Sequence, residues 1–298
     1  MTAPVLSVLV PFFRDDPRVL IASLSAQRVA PGRVRVLVMD DGSGDAVLSA
    51  QTQAAVDAAA LPCTLITSET NRGRSATRNA LQDRAATPWV LFLDADMRLD
   101  DPLFLQRYLD AIAADTADVL FGGFEVEPRA DNADTDLHRV LSHGSDCLSA
   151  VARQAAGPQF VASSNLCVRK SVLEAESFDP GFTGWGWEDS EWAARVAARF
   201  RLRHLDNPAV HLGLETTDTL LSRFASSGAN YRRFTEKHPD LAASLPLFRI
   251  VTRLARIPGH RLARAPLRAA VRSHAVPTRL RVLALKLWRA SHYAEAMA

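Results

Sequence analysis

Two aspartates, Asp94 and Asp96, stand one residue apart at the end of the apolar run Trp89-Val90-Leu91-Phe92-Leu93. Carboxylates at this spacing can hold a divalent metal directly or through water, and such a metal can neutralise a diphosphate. Side chains i and i+2 share a face of a strand, so the pair converges if strand geometry persists through Asp96. The competing reading is a surface turn, because Asp is common after strands. A second acidic group, Glu188-Asp189, follows Gly184-Trp185-Gly186-Trp187. A carboxylate there can accept the proton of a weak nucleophile such as a hydroxyl, or it can cap a helix. Asp40-Asp41 precedes Gly42-Ser43, which makes either a turn or a close backbone approach to a ligand. His211 by itself reads as a satisfied structural histidine. Trp185 and Trp187 are either core or sugar-stacking rings on a loop that its glycines allow to close.

The elements that must position these groups are legible in the apolar pattern. Leu6 to Val10 is a strand ended by Pro11, Val34 to Met39 a second and Cys63 to Thr67 a third. Asp16-Pro17 opens a helix carrying Val19, Leu20 and Leu24, and Gln51 to Ala60 forms another. This strand–helix rhythm predicts a parallel, doubly wound sheet, whose ligands bind beyond the carboxyl ends of its strands. Asn71-Arg72-Gly73-Arg74 leads into a helix through Arg78 and Asn79. Arginines at a helix start oppose its dipole, which suits an anionic ligand or free exposure to solvent. Asp101-Pro102 starts a further helix, and Val119 to Val126 reads as one strand with a bulge or close packing at Gly122-Gly123. Residues 128–157 are polar and poorly periodic, with helix expected near 137–155. Phe160 to Leu166 reads as a strand, Lys170 to Glu176 as a short helix, and a longer helix runs from about Asp189 to Phe200. Arg201 to Leu205 reads as an edge strand.

The 298 residues are 48% hydrophobic and 23% charged, the balance of a soluble globular chain. Cys63, Cys147 and Cys167 are odd in number and lack metal-like spacing, which favours a reducing compartment over a disulfide scaffold. No signal-peptide core opens the chain and no 18 apolar residues run together, so a cytoplasmic protein without a spanning helix is expected. The net charge of +2 conceals an asymmetry. Residues 249–298 hold 11 Lys or Arg against Glu295 alone, leaving 24 basic and 32 acidic residues in 1–248. Such a tail suits an anionic membrane surface or a polyanion. Pro258, Pro266 and Pro277 divide it into short helical pieces. The last aligns Leu280, Leu283 and Leu287, with Trp288 near the boundary, as either an interfacial or a packing helix.

Taken together, these stretches resemble the family 2 nucleotide-sugar-dependent glycosyltransferases. The likeness runs through Leu9-Val10-Pro11-Phe12-Phe13, Asp40-Asp41-Gly42-Ser43, Asn71-Arg72-Gly73…Ala76…Arg78-Asn79 and Asp94-Ala95-Asp96. The Trp-Gly-x-Glu-Asp stretch ending at Asp189 is similar to an acceptor-side motif of galactosyl and N-acetylgalactosaminyl transferases. It covers roughly residues 5–215 and omits the tail. The resemblance implies an α/β chain of GT-A fold, with a mostly parallel central sheet flanked by helices and a C-terminal helical extension. Residues 1–248 would form the transferase domain, with a nucleotide half to about 125 and an acceptor half from about 126, followed by a basic helical tail over 249–298.

The same resemblance implies roles. Pro11 and Phe13 would frame the nucleotide, Asp41 would bond the nucleobase, and Arg78 would lie in the stretch bordering the nucleotide. Asp94 would face the sugar or ribose, Asp96 would be the principal metal contact, and His211 would complete the metal site. Asp189 would be the general base and Glu188 would orient a sugar. Trp185 or Trp187 would meet the acceptor. The cofactor would be Mn²⁺ or Mg²⁺ and the donor a nucleoside-diphosphate sugar, most often a UDP-sugar. One base and one metal-held leaving group on opposite sides of the sugar imply displacement with inversion. A saccharide or lipid-linked glycan would accept, placing the protein in polysaccharide biosynthesis and peripherally on the inner membrane face.

Other classes fit less well. A sugar nucleotidyltransferase needs a Gly-rich loop after the first strand, where this chain has Pro11-Phe12-Phe13-Arg14, and the Gly-x-Gly-x-x-Gly fingerprint of a dinucleotide enzyme is missing. A non-catalytic sugar- or nucleotide-binding protein of the same fold is disfavoured by the joint retention of Asp94, Asp96 and Asp189. A nucleic-acid binder would rest on the tail alone, without base-stacking aromatics, and none is expected.

Overall fold

The computed structural model describes residues 3–127, 133–144 and 147–298. Four strands, β1 (Leu6–Phe12), β2 (Val34–Asp40), β3 (Cys63–Thr67) and β4 (Trp89–Leu93), pair in parallel in the order β3-β2-β1-β4. The chain then forms β5 (Met97–Arg98), β6 (Val119–Phe121), β7 (Phe124–Val126), β8 (Asn165–Arg169), β9 (Leu202–His204) and β10 (Ala209–His211). Strands β8, β6 and β9 extend the large sheet beyond β4, with β8 antiparallel to both of its neighbours. A second sheet orders β5-β10-β7.

Period-two alternation splits the core into two layers. Leu6, Val8, Val10, Leu91 and Leu93 face α1 (Arg18–Ser25), α2 (Ala46–Asp57) and, after α3 (Arg74–Arg84), α4 (Phe104–Ala113). Leu9, Val90, Phe92, Leu166 and Val168 face the other way, onto α3 and two later helices. Between α4 and those lie α5 (Asp136–His143) and α6 (Ala150–Ala156). The two are α7 (Lys170–Ala175) and α8 (Glu188–Ala197), the latter burying Trp192 completely. Strands covered on both faces are nearly continuous apolar runs, which is why β1 and β4 stand out in the sequence.

Several boundaries depart from the sequence reading. Pro11 does not end β1, which stays paired with β2 through Phe12 opposite Asp40. Val119 to Val126 is two strands in two sheets. Gly122 is pressed against the Tyr108 hydroxyl, the Asn165 amide and the Asn207 carbonyl, and Gly123 takes φ +77°, so the chain leaves one sheet for the other there. The expected strand over Phe160 to Leu166 starts instead at Asn165. The backbone of Ser163 and Ser164 is turned to the site, bonding the Asp189 carboxylate and the Asp94 N–H. The polar stretch contains α5 and α6, while its residues 128–132 and 145–146 lie outside the described residues.

The remainder is helical: α9 (Thr217–Ser226), α10 (Gly228–Lys237), α11 (Pro239–Ser244), α12 (Pro246–Ala255), α13 (Arg264–Arg272) and α14 (Thr278–Met297). Residues 249–298 pack in two hydrophobic clusters, one with α9 and one with α10. Leu285, Ala290, Tyr293 and Ala294 are buried, and the Tyr231 and Tyr293 rings stack at 4.5 Å. The Trp288 indole donates to the Leu221 carbonyl at 3.1 Å, so this ring is tied inward rather than free for an interface. The face of α14 aligned in the sequence is not the one that packs. Ala284, Leu285 and Trp288 turn inward, and Leu280 and Leu283 remain more than half exposed. Among the described residues, no helix is long and apolar enough to cross a membrane.

His204 at the sheet edge is buried beside Arg153, whose Nε donates to His204 Nδ1 at 3.4 Å. Burial, then the Arg153 charge, lowers its pKa to about 4. The unfolded chain, with an ordinary histidine near 6.5, takes up a proton over that interval that the folded chain refuses. Stability therefore falls as the pH drops from about 6.5 to about 4 and levels off below. Denaturant midpoints measured across this range should show the decline, and His204→Gln should remove part of its slope; an unaltered slope would reject the assignment.

Candidate active site

The parallel strands β1, β2, β3 and β4 end on one side of the sheet, and the loops that follow them surround a cleft of about 340 Å³. Pro11, Phe13 and Asp15 line it from β1, Asp41 from β2, Arg74 and Arg78 from α3, and Asp94 and Asp96 from the end of β4. Ligands of open α/β sheets bind at this edge.

On one side the two aspartates at the end of β2, Asp40 and Asp41, divide their duties. Asp40 accepts the Ser43 N–H at 2.9 Å and makes the turn, as the plainer reading expects. Asp41 is almost fully buried, and its carboxylate accepts the N–H groups of Arg72, at 3.0 Å, and Gly73, at 2.9 Å. It thereby fixes the entry to α3. One turn into that helix Arg78 lies 2% exposed, donating to Asp94 Oδ1 at 3.2 Å. Its Nη1 stands 3.9 Å from Glu188 Oε1 and 4.0 Å from Asp189 Oδ1. Burial opposes the charge of Arg78, but Asp189, Asp94 and Glu188 outweigh it and hold the pKa above its ordinary value. Neither Nε nor Nη1 has a hydrogen-bond partner among the described residues. Buried N–H groups left unpaired are costly, and a ligand oxygen in the cleft would satisfy them.

The aspartate pair does not converge by sharing a strand face. Strand geometry stops at Leu93, and Asp94 to Asp96 form a turn closed by Met97 N–H on the Asp94 carbonyl at 3.1 Å. Pairing of β10 with β5 sets His211 opposite Met97 and brings His211 Nε2 to 3.1 Å from Asp96 Oδ2. Burial raises the Asp96 pKa, but the bond and charge of His211 outweigh it and the net direction is down. Gly213 closes over the same carboxylate so tightly that a Cβ would collide with Oδ2.

Carboxylate oxygens with one imidazole suit Mn²⁺ or Mg²⁺ better than a thiophilic metal. Among the described residues no three His, Cys, Asp or Glu gather into a self-sufficient metal site. Asp96 and His211 could therefore hold an ion whose remaining ligands are water and substrate phosphate, the usual mode of Mg²⁺.

At the other end of Arg78, Trp187 takes a left-handed φ of +75° and α8 begins at Glu188. Asp189 is inside the helix rather than its cap. Its Oδ2 accepts Ser163 N–H at 3.0 Å, and its buried Oδ1 has no hydrogen-bond partner among the described residues. Glu188 is buried, and burial together with the neighbouring Asp189 charge raises its pKa. The two tryptophans separate. Neither lines the cleft; Trp187 packs against Tyr231 and Phe234 and donates to the Tyr293 hydroxyl at 3.1 Å. Trp185, half-buried against Phe224, follows Gly184 at the cleft edge.

Four residues around the cleft escaped the sequence reading. Arg223 of α9 lines it and pairs with Glu215 at 2.6 Å. Asp15 faces Asp96, and burial and then Asp96 raise its pKa. His138 of α5 lies 5.9 Å from the His211 ring and accepts Glu215 N–H at 2.7 Å, its pKa lowered to about 4 by burial and then by His211. Asn230 of α10 donates to the carbonyls of Thr183 at 2.9 Å and Gly186 at 3.0 Å, clamping the loop before α8. No local signal marks Arg223, His138 or Asn230; only the unusual positive φ of Arg14, +62°, singles out the loop of Asp15, and it is invisible in sequence.

The sequence profile described as Glycosyl transferase family 2 matches residues 7–174. The chain belongs to the family 2 glycosyltransferases. No curated protein sequence matches it significantly. The mannosyltransferase PcManGT of Pyrobaculum calidifontis, solved with GDP-Man and Mn²⁺, is similar with a TM-score of 0.62 at 16% identity, covering 98% of this chain and 86% of that one. Residues 1–349 of S. aureus TarS are similar with a TM-score of 0.55 at 16% identity, covering 98% and 90%. The same fragment with UDP-GlcNAc gives 0.52 at 16% identity, again covering 98% and 90%. These likenesses agree with the GT-A fold of this glycosyltransferase. The profile ends before Glu188, Asp189, His211 and Arg223; of these Arg223 lines the cleft, while Glu188 and Asp189 reach it through Arg78 and His211 through Asp96.

Gly213→Ala should push the Asp96 carboxylate or the 212–215 backbone aside without touching the sheet. Nucleotide binding with Mn²⁺ added, read by calorimetry, should weaken about tenfold or more while the unfolding midpoint holds. Unchanged binding would show that this contact does not matter to the site.

Proposed function

We propose that this glycosyltransferase moves a sugar from a nucleoside-diphosphate sugar to a hydroxyl of a saccharide or lipid-linked acceptor, with inversion and with a divalent ion. The observation that carries the reading is the buried Arg78, which lines the cleft and stands between Asp94 of the aspartate turn and Glu188 and Asp189 of α8. In this reading a donor-side carboxylate pair and an acceptor-side base act from either side of the transferred sugar.

Pro11 and Phe13 frame the nucleobase, and Asp41, already holding the 72–73 backbone, presents its remaining acceptor capacity to it. Asp96 and His211 would hold Mn²⁺ or Mg²⁺, and the ion would supply electrostatic stabilisation for the charge gathering on the departing diphosphate. The unpaired N–H groups of Arg78 bond oxygens of the donor, and Asp94 keeps that guanidinium aimed. Ser163 fixes Asp189 through Oδ2, leaving Oδ1 to accept the proton of the incoming hydroxyl. Glu188, held between Arg78 and Asp189, orients a sugar. One base suffices, because direct displacement needs no nucleophilic carboxylate.

Trp185 offers its ring to the acceptor, on a loop similar to that of galactosyl and N-acetylgalactosaminyl transferases, while Trp187 supports the loop from behind. A UDP-sugar is the first donor to try and GDP-Man, carried by PcManGT, the second. A lipid-linked acceptor places the enzyme in polysaccharide biosynthesis, peripheral on the inner membrane face.

Hydrolysis of a panel of nucleotide sugars with Mn²⁺, Mg²⁺ or chelator tests this without knowledge of the acceptor. One donor should be cleaved slowly with metal, and Asp96→Ala should abolish it. Silence across the panel, joined by no metal-dependent nucleotide binding, would make the protein a non-catalytic relative. Once an acceptor is found, Asp189→Asn should keep donor affinity and lower kcat for transfer by about 10²–10⁴-fold. A smaller loss would remove Asp189 as base.

A further inference from the structure

We infer that the outer surface of α12, α13 and the first half of α14 docks onto an anionic lipid bilayer. This deepens the membrane-associated reading given above by naming the surface and its chemistry, and it does not depend on which sugar is moved.

Ten large apolar side chains are exposed among the described residues, and five of them, Ile250, Ile257, Leu262, Leu280 and Leu283, fall in the last fifty positions. One sixth of the chain thus carries half of its outward apolar groups. Leu262, 83% exposed, projects from the 3₁₀ turn His260–Ala263, with Ile257 just ahead of it. On α14 the inward residues are Ala284, Leu285 and Trp288, so Leu280 and Leu283 form a separate face beside the exposed Arg279 and Lys286.

The charges on this surface are unspent. Arg249, Arg253, Arg256, Arg268, Arg279 and Lys286 are all exposed and form no ion pair among the described residues. Elsewhere in the cap Arg261 and Arg264 share Glu295, Arg272 pairs with Asp218, and Arg281 is buried against the Val271 carbonyl. Cations in excess of any internal partner, set among isolated aliphatic side chains, match the headgroups and acyl boundary of an anionic leaflet.

Two other occupants fit less well. A nucleic acid would want aromatic platforms for its bases, and the exposed large apolar groups of the cap are all Ile or Leu. A second copy related by a two-fold axis would set these unpaired cations against themselves. The location also serves the reaction. Helix α9, which supplies Arg223 to the cleft, contacts both α13 and α14, so only one layer of helices separates the surface from the site.

The test is flotation of the full chain with phosphatidylcholine vesicles, with and without phosphatidylglycerol. Truncation at 248 is avoided because it would strip cover from Trp187 and Tyr231. Wild type should float only with the anionic vesicles and be released by high salt. The pairs Ile257→Ser with Leu262→Ser, and Arg253→Glu with Arg256→Glu, should each lower vesicle affinity about tenfold or more while donor hydrolysis in solution is unchanged. Absence of flotation, flotation indifferent to both pairs, binding of an oligonucleotide instead of vesicles, or a concentration-dependent dimer without flotation would each overturn the proposal. Flotation is read without turnover, so its failure leaves the transferase reading standing, and loss of donor cleavage leaves the docking result standing.

Discussion

Arg78 holds a positive charge almost completely out of water, and the geometry of the cleft follows from what that requires. A buried charge is tolerable only when opposite charges surround it, and removing one partner leaves a large uncompensated cost. Here the partners come from distant parts of the chain: Asp94 from the end of β4, and Glu188 and Asp189 from the first turn of α8. The guanidinium therefore ties the parallel half of the sheet to the helix beyond β8. It also keeps apart two acidic groups that would otherwise repel across a narrow space. Acids in the first turn of α8 suit the helix dipole, so the same residues serve the helix and the cleft.

The second constraint is the hold on the loop before α8. Trp187 sits in a left-handed conformation that a bulky residue adopts only when its surroundings enforce it. Tyr231, Phe234 and Tyr293 enclose its ring, the Tyr293 hydroxyl accepts its N–H, and Asn230 gathers the carbonyls of residues 183 and 186. Tyr293 comes from the last helix of the chain. The basic tail is thus the rear wall of the acidic loop, whatever its outer surface meets.

The aspartate turn is secured from the opposite side by the small sheet. Its strands have only two or three residues each, too few to be stable alone, and their worth lies in register. Pairing β10 with β5 sets His211 beside Asp96, and the chain then folds Gly213 over that carboxylate. His138 and the Glu215–Arg223 pair steady the segment that follows.

What the sequence by itself determined was everything written in short-range pattern. The central strand ending at Leu93, the turn made by Asp40, the apolar runs and the family likeness are local, because strand alternation and tight turns are set by neighbours. That Asp94 and Asp96 belong to a site was legible, but their convergence through a turn was not, since the chain direction after Leu93 depends on β5 pairing with a strand more than a hundred residues later. The split at Gly122-Gly123 likewise turns on contacts from Tyr108, Asn165 and Asn207. Trp185 and Trp187 are indistinguishable in composition, and only the aromatic nest of α10 and α14 assigns Trp187 to the interior. On α14 the aligned leucines made a plausible packing face, yet the tertiary structure buried the alanine-rich side, because small residues let that helix approach α9, α10, α12 and α13 closely. Arg223, His138 and Asn230 carry ordinary helical surroundings in sequence and acquire their places only when distant helices close around the cleft.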